Sequence, residues 1–394
     1  MHRQIAKAAR ACLKSLAEMP TTLRSFSKIN LGLAIGPVRP DGFHALTTLY
    51  QTLAAHDLVT VEARLAAENR IVVTSNDPRI PTDGRNTAYQ AAERALRAWK
   101  NTADAAVHAL VTIHADVTIN IEKRLPVQGG VGAGSANAAA ALLGLERELA
   151  VHGVRPLTGA ERLGIAAHVG SDVPLFLVGG AVLGRGRGEE VAPMPDLSPT
   201  HCLLALPAIG VSTPQAFRDW DARHASFPAA SSQTASSLAA SSLTAVPASD
   251  RLNELSRTLA SVFGEPHSSG VFAAGEGLAG NSGSEANPFA GTKNPLLALV
   301  QTGIENDFEE VVFPQNPLFG QIKRALCGPN PSPDASPDQA LYAALSGSGS
   351  ALFGLYATLD AAAAAEARLD EMGVRSLRTE TLPRDAYWQR MLVE

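Results

Sequence analysis

Apolar residues recur at every second position through Ile29, Leu31, Leu33 and Ile35, the period of a strand with one buried face. Lys28 and Asn30 fall between them, so both project from the opposite face. Pro40-Asp41-Gly42 follows as a turn: the proline ring presets φ, Asp can bond its own backbone, and Gly tolerates positive φ. Residues 46–62 return as a second strand, ending in Leu58-Val-Thr-Val-Glu62. Ala88, Ala91, Ala92, Ala95, Leu96 and Trp99 then recur at helical spacing and predict a helix over residues 86–99. Val117, Ile119 and Ile121 alternate again. Residues 135–150 are rich in Ala and Leu and read as helix. A short helix over 160–168, strands over 175–183 and 351–356, and a helix over 359–372 complete the alternation of strand and helix signals.

That order is broken by low-complexity sequence. Of the 26 residues 225–250, eight are Ala and eight are Ser, and Ala-Ser-Ser-Leu occurs twice. Such sequence buries too little apolar surface to offset its ordering entropy. A second loose stretch, rich in Gly, Ser, Ala and Asn, runs over 264–292, with one helical pattern at Leu252, Leu255, Leu259 and Val262 between the two. Residues 225–292 therefore read as a mostly disordered insertion, and 329–337 as a shorter Pro/Ser/Asp break. About 300 residues of structured chain remain, and the full length of 394 residues suggests two domains or three at about 100–200 residues each.

Composition narrows the function classes. Of the 394 residues, 45% are hydrophobic and 18% charged, an ordinary globular balance. The net charge of −5, with no basic block, argues against a nucleic-acid binder. No apolar run is long enough to span a membrane. Cys12, Cys202 and Cys327 are odd in number and far apart, which excludes a disulfide framework and fits a reducing, cytoplasmic setting. The ten histidines show no metal-binding spacing. Residues 1–24 are basic but poor in Ser and without a clear cleavage site, so a plain N-terminal helix or an over-long start is preferred to a transit peptide.

Candidate chemistry concentrates in three places. Leu125-Pro-Val-Gln-Gly-Gly-Val-Gly-Ala-Gly-Ser-Ala-Asn lies between a strand and a helix. Gly129, Gly130, Gly132 and Gly134 allow the backbone to approach a bulky anion, and the following helix offers free N–H groups and a positive dipole end. A strained turn before a helix is the other reading. The loop is not a P-loop, because Ser135-Ala136 follows Gly134, and position 135 lacks the third glycine of a dinucleotide fingerprint. Lys28 and Asn30 are either a solvated outer face or a pair of donors aimed into a site. Asp172, two residues before Pro174, reads by itself as a turn former.

The glycine loop, with its leading Pro126 and trailing Asn137-Ala-Ala, resembles that of the galactokinase, homoserine kinase, mevalonate kinase and phosphomevalonate kinase (GHMP) superfamily. Gly170-Ser-Asp-Val-Pro174 matches one branch of it. Arg39-Pro-Asp-Gly-Phe-His44 resembles the family of kinases acting on 4-diphosphocytidyl-2-C-methyl-D-erythritol in the non-mevalonate isoprenoid pathway. The likeness continues, in family order, through Ser27-Lys-Ile-Asn-Leu31, Glu122-Lys-Arg-Leu-Pro126, Gly210-Val-Ser-Thr-Pro214 with Phe217, Glu305-Asn-Asp-Phe308 and residues 346–353.

The resemblance implies an α+β two-domain GHMP kinase: an extension over 1–23, an ATP-binding domain like ribosomal protein S5 domain 2 over 24–190, and a ferredoxin-like domain over 191–394. It implies ATP and Mg²⁺ as cofactors and a small-molecule substrate, with no nucleic acid or membrane partner, in a monomer or homodimer. It makes Asp172 the base and Lys28 its neighbour. It assigns Pro126, Gly129, Gly130, Gly132, Gly134, Ser135, Asn137, Asn86 and Lys123 to the nucleotide. It assigns Asn30, Phe43, His44, Thr213, Pro214 and Phe217 to the substrate, the two Phe rings holding a cytosine whose edge His44 reads. Two departures stand out: Ala136 replaces a frequent Ser, removing one hydroxyl that could serve a metal, and Phe43 replaces the commoner Tyr. The alternatives are another small-molecule kinase of the superfamily, a catalytically dead nucleotide-binding relative, or an interaction module with a structural loop.

Overall fold

The computed structural model describes residues 19–100, 103–104, 109–110, 113–127, 129–224, 305–328 and 339–393. Residues 1–18 of the expected extension, the expected insertion over 225–292 with its helix, and the 329–337 break lie outside the described residues.

The first sheet is built on a long hairpin, β1 (Thr21–Val38) and β2 (His44–Leu65), paired antiparallel along most of their length. The turn forms as its sequence requires. Gly42 has φ +83°, its N–H donates to Arg39 O at 3.0 Å, and the Arg39 N–H donates to Phe43 O at 2.7 Å. β3 (Arg70–Ser75), helix α1 (Thr87–Lys100) and a two-residue pair, β4 (Ala103–Asp104) with β5 (Ala109–Leu110), follow. Then come β6 (Ala115–Glu122), α2 (Ala133–Ala150), α3 (Gly159–Val169), β7 (Ala181–Gly186) and β8 (Glu190–Pro193). The free edge of β2 is shared: its first part pairs with β7 and its second with β6. β3 lies parallel to β6 on the outside, and β8 beyond β7.

The second sheet comprises β9 (His201–Leu206), α4 (Thr213–His224), α5 (Glu309–Gln315), α6 (Pro317–Cys327), β10 (Tyr342–Leu345), β11 (Leu352–Tyr356), α7 (Leu359–Glu371) and β12 (Arg375–Glu380). Its strands are antiparallel in the order β10-β11-β9-β12, with helices between the first and second and between the third and fourth strands in chain order. That is the ferredoxin-like arrangement.

Three cores hold these layers. On one face of the first sheet, α1 and α2 bring Trp99, Leu142 and Leu145 against Val59, Val61 and Ile119. Between the sheets, Ile29, Leu31, Leu49 and Leu53 meet Leu204, Phe353 and Leu355. Beyond the second sheet, Trp220, Phe308, Phe319 and Ile322 pack under α4–α6, and Leu33 and Ile35 join them. β1 therefore serves all three cores along one strand, with Leu23 and Phe26 in the first.

Two outcomes differ from the local pattern. The strand expected over 175–183 is a 3₁₀ turn at Pro174–Leu177, with β7 starting only at Ala181. Pro174 has no N–H for a ladder, and Phe176 and Val178 donate to Val173 and Leu175 instead, at 3.2 and 3.1 Å. The end of the chain also leaves the second sheet. Helix α8 (Arg384–Met391) packs on the first, where Tyr387 sits 5.2 Å from Phe26, ring to ring, and donates its hydroxyl to Phe176 O at 2.6 Å. The Val393 N–H then donates to Thr22 O on β1. Tyr387 is fully buried, so Tyr387→Ala should lower the unfolding free energy by about 3–5 kcal/mol, read as a lower urea midpoint.

Candidate active site

Lys28 is only 3% exposed, and an ammonium in that position needs partners. Its Nζ donates to Asn30 Oδ1 at 2.7 Å and lies 3.2 Å from Asp172 Oδ2. Asn30 in turn donates to the Thr48 hydroxyl at 2.8 Å, and Thr48 donates to Gly32 O at 2.7 Å. Of the two readings of Lys28 and Asn30, the solvated outer face is excluded by their burial. The face is roofed by the turn at 346–349: a Cβ added at Gly347 would lie 3.4 Å from Asn30 Oδ1 and 3.6 Å from Lys28 Nζ. Asn306 holds that roof, donating to Leu345 O and Gly347 O at 2.8 Å each. Asp172 sits in the turn before the 3₁₀ segment, and its Oδ1 accepts from the Tyr50 hydroxyl at 3.0 Å.

The glycine loop lies beside this pair. Gly132, with φ +71°, is the N-cap of α2 and offers no side-chain cap, so the first amides of the helix lack side-chain acceptors. A Cβ at Gly132 would fall 2.9 Å from Lys28 Cγ and 2.9 Å from Phe176 Cζ. Gly130, with φ +74°, is pressed against the second sheet's turn, and its carbonyl accepts from the Ser346 hydroxyl at 3.0 Å. Ala351 N–H donates to Gly129 O, and Lys28 N–H to Val131 O. The Pro126 ring packs against Gly129, where an added Cβ would lie 3.0 Å from Pro126 Cγ. Gly134 is open on its outer side and its carbonyl accepts from Thr87 at 2.7 Å. Ser135 is half-buried at the loop–helix junction, whereas Ala136 is packed in the core under α2.

Three residues assigned to the nucleotide act inside the protein. Asp57, fully buried on β2, accepts from the Lys123 ammonium, from the N–H groups of Arg124 and Leu125 at 2.8 Å each, and from the Asn137 amide at 3.2 Å. Ser25 donates to Asn137 Oδ1 at 2.6 Å. One carboxylate thus ties the entry of the glycine loop to the helix that leaves it. Asn86 caps α1 through Ala88 N–H at 2.8 Å and donates to Pro81 O at 2.7 Å. Lys123, Asn137 and Asn86 all border the cleft, but their polar ends are engaged within the fold.

The other end of the cleft is aromatic. Phe43 is 54% exposed, with the Arg187 guanidinium 5.0 Å over its ring. Phe217, on α4, stacks on His44 with centroids 5.0 Å apart and planes at 7°. His44 Nδ1 donates to Gly36 O at 2.9 Å, and its Nε2 is 3.1 Å from Asp221 Oδ1. In this structure Phe217 is thus stacked on His44, whereas the sequence pattern implied Phe43 and Phe217 about a base. Thr213 and Pro214 open α4, and the Thr213 hydroxyl bonds that of Ser348 at 2.6 Å, tying α4 to the roof. Lys28, Asp172, the glycine loop, Phe43, His44 and Phe217 all line one cleft of about 1280 Å³.

A family model described as the GHMP kinases N terminal domain matches residues 86–180, from the cap of α1 through the loop carrying Asp172. A 4-diphosphocytidyl-2-C-methyl-D-erythritol kinase of Synechococcus sp. (strain JA-2-3B'a(2-13)) is 31% identical over 345 residues, covering 87% of this chain and 88% of that protein. The chain belongs to the 4-diphosphocytidyl-2-C-methyl-D-erythritol kinase family. A relative of the same name from Rhodococcus jostii (strain RHA1) is 40% identical over 208 residues, 52% of this chain and 61% of that protein, so this match spans about three-fifths of the relative. The fold is shared with a solved 4-(cytidine 5'-diphospho)-2C-methyl-D-erythritol kinase (TM-score 0.55, 24% identity, 91% of this chain and 98% of that one). It is also shared with the homoserine kinase from Cytophaga hutchinsonii (TM-score 0.56, 18% identity, 92% and 95%). Membership agrees with the two-domain α+β architecture described above.

Sequence reasoning passed over Asp57, Tyr50 and Asn306. Asp57 sits one residue before an apolar strand run and Asn306 inside a matched block, but neither carries a local signal for a role made of contacts over 60 or more and about 40 residues away. Gly130→Ala would put a Cβ 2.5 Å from Ser346 O and 2.8 Å from Gly349 O, backbone atoms that have little room to yield. It should cost about 1–3 kcal/mol of stability and weaken ATP binding by calorimetry, whereas Gly134→Ala, with nothing closer than 3.7 Å, should leave the melting temperature unchanged.

Proposed function

We propose that this chain transfers the γ-phosphoryl group of ATP to the 2-hydroxyl of 4-diphosphocytidyl-2-C-methyl-D-erythritol. The observation that carries the reading is the buried Lys28 paired with the half-buried Asp172, set beside an uncapped glycine loop in a cleft whose far end is aromatic. The relatives' names supply the substrate class, and the cleft has the parts to use it.

The ATP phosphates lie against the backbone of residues 129–134 and the first turn of α2, where free N–H groups and the helix dipole favour negative charge. Ser135 adds a hydroxyl at the same junction. Among the described residues no group of three or more His, Cys, Asp or Glu could hold a metal. Mg²⁺, which keeps few protein ligands, would be carried largely on the substrate phosphates, with the Ser135 hydroxyl at the loop–helix junction to help hold it. When bound, it neutralises charge on the triphosphate. The cytidine end lies between Phe43 and the Phe217–His44 stack. Ring faces supply affinity for any base, and polar atoms at the edge select cytosine. The same reading has the enzyme work in the cytoplasm as a monomer or homodimer.

In the chemical step, Asp172 accepts the proton of the 2-hydroxyl as its oxygen bonds to the γ-phosphorus. The bond to the β–γ bridging oxygen breaks, and ADP leaves with that electron pair. Lys28, within 3.2 Å of the carboxylate, balances negative charge at the reacting centre. Positioning and electrostatics supply most of the acceleration, because the protein forms no covalent intermediate.

The test is ADP release with Mg·ATP and the cytidyl substrate. Turnover should require that substrate, and cytidine nucleotides should compete with it. Asp172→Asn should lower kcat by at least ~10²-fold, the scale expected of a general base. A near wild-type rate in that variant would reject the assignment.

A further inference from the structure

Asp172 has two carboxylate oxygens, and only one faces Lys28. The other, Oδ1, accepts from the Tyr50 hydroxyl at 3.0 Å. Tyr50 is on β2, between Asn30 of β1 and Val182 of β7, and its ring is buried in the first core. A buried phenol needs a partner for its hydroxyl, and here that partner is the candidate base. The ring also touches the other member of the pair: Lys28 Nζ lies 5.5 Å from its centroid.

The surrounding chain leaves room for this phenol and little else. A Cβ at Gly184 would lie 2.5 Å from Tyr50 Cε2, and one at Gly188 would lie 2.4 Å from its hydroxyl oxygen. Two glycines, one on β7 and one in the turn to β8, thus vacate the volume the side chain fills. Burial pushes the Tyr50 hydroxyl well above the ordinary phenol range, and the charges of Asp172 and Glu189 push it further in the same direction. The hydroxyl therefore keeps its proton and remains a donor.

We propose that Tyr50 is a positioning residue for phosphoryl transfer, its hydroxyl holding Asp172 at the oxygen that Lys28 does not reach. Held at both oxygens, the carboxylate has no freedom to rotate about its terminal torsion and keeps a lone pair aimed at the acceptor hydroxyl. A misplaced base loses rate more than affinity, because substrate binding does not depend on the direction of that lone pair. The inference rests on the reading of Asp172 as the base of the proposed reaction.

Tyr50→Phe removes the hydroxyl and keeps the ring. It should lower kcat by roughly 10–100-fold, the range for losing one hydrogen bond to a charged group, while KM for ATP and for the cytidyl substrate stays within about 2-fold. In an Asp172→Ala background the same change should cost less than about 2-fold, because the atom it positions is gone. Equal losses in both backgrounds, a loss carried by KM, or no loss would each overturn the role of Tyr50 while wild-type turnover upheld the proposed function. If the wild type releases no ADP with the cytidyl substrate, the proposed function fails first, and the positioning role with it. The pairing is then read by the same cycle in thermal melting. Tyr50→Phe should lower the melting temperature by on the order of 2 °C more in the wild-type background than beside Asp172→Ala, and purely additive shifts would refute the pairing.

Discussion

An ammonium group taken out of water must be met by charge and hydrogen bonds, and the cleft is arranged around that requirement at Lys28. Its partners come from separate parts of the chain: Asn30 two residues along β1, and Asp172 from the loop after α3. Its stem passes where Gly132 has no side chain, and Gly347 closes over its head. Each neighbour has a constraint of its own. The Asp172 loop is pinned through Phe176 to Tyr387 of the last helix, and the 346–349 turn is held by Asn306. Burying one lysine thus draws the glycine loop, the acid loop and the second sheet into a single geometry.

The two sheets meet at β1, and this is what puts the cleft where it is. One face of the strand fills the core between the sheets, with Ile29 and Leu31 against Leu204 and Phe353. The opposite face carries Lys28 and Asn30. A strand buried on both sides can present polar groups only where a neighbouring layer leaves a gap, and the glycine loop and the roof border that gap. Glycine is required at position 130 for a specific reason. Its backbone meets the backbone of Ser346 and Gly349 too closely for any Cβ. The glycine-loop end of the cleft is accordingly backbone-lined, with Asp57 fixing both sides of the loop.

The other end of the cleft is made of side chains. Phe43, Arg187, His44, Phe217 and Asp221 meet there through stacking and ion pairing, on the first hairpin, the β7–β8 turn and α4. The division has a physical sense. Every nucleoside triphosphate shows the same anionic chain, which backbone amides can bind. A particular acceptor must be chosen by rings and polar edges, which a shared fold does not fix.

Much of this was legible in the chain. Alternation through Ile29–Ile35, the Pro-Asp-Gly turn, the helical spacing of residues 86–99 and the glycines before α2 are local signals, and each yields the element it predicts because the steric preferences of neighbouring residues act over a few positions. The motif blocks likewise brought together the residues that line the cleft. Period alone did not tell whether Lys28 and Asn30 face water, because it says which residues share a face and not what covers it. Their cover comes from a turn more than 300 residues away. The 3₁₀ turn at Pro174–Leu177, the return of α8 to the first core, the Asp57 clasp and the Tyr50–Asp172 bond are of the same kind. Each is a contact between segments distant in sequence, and the energy of burying a charge or filling a core exists only once those segments have met.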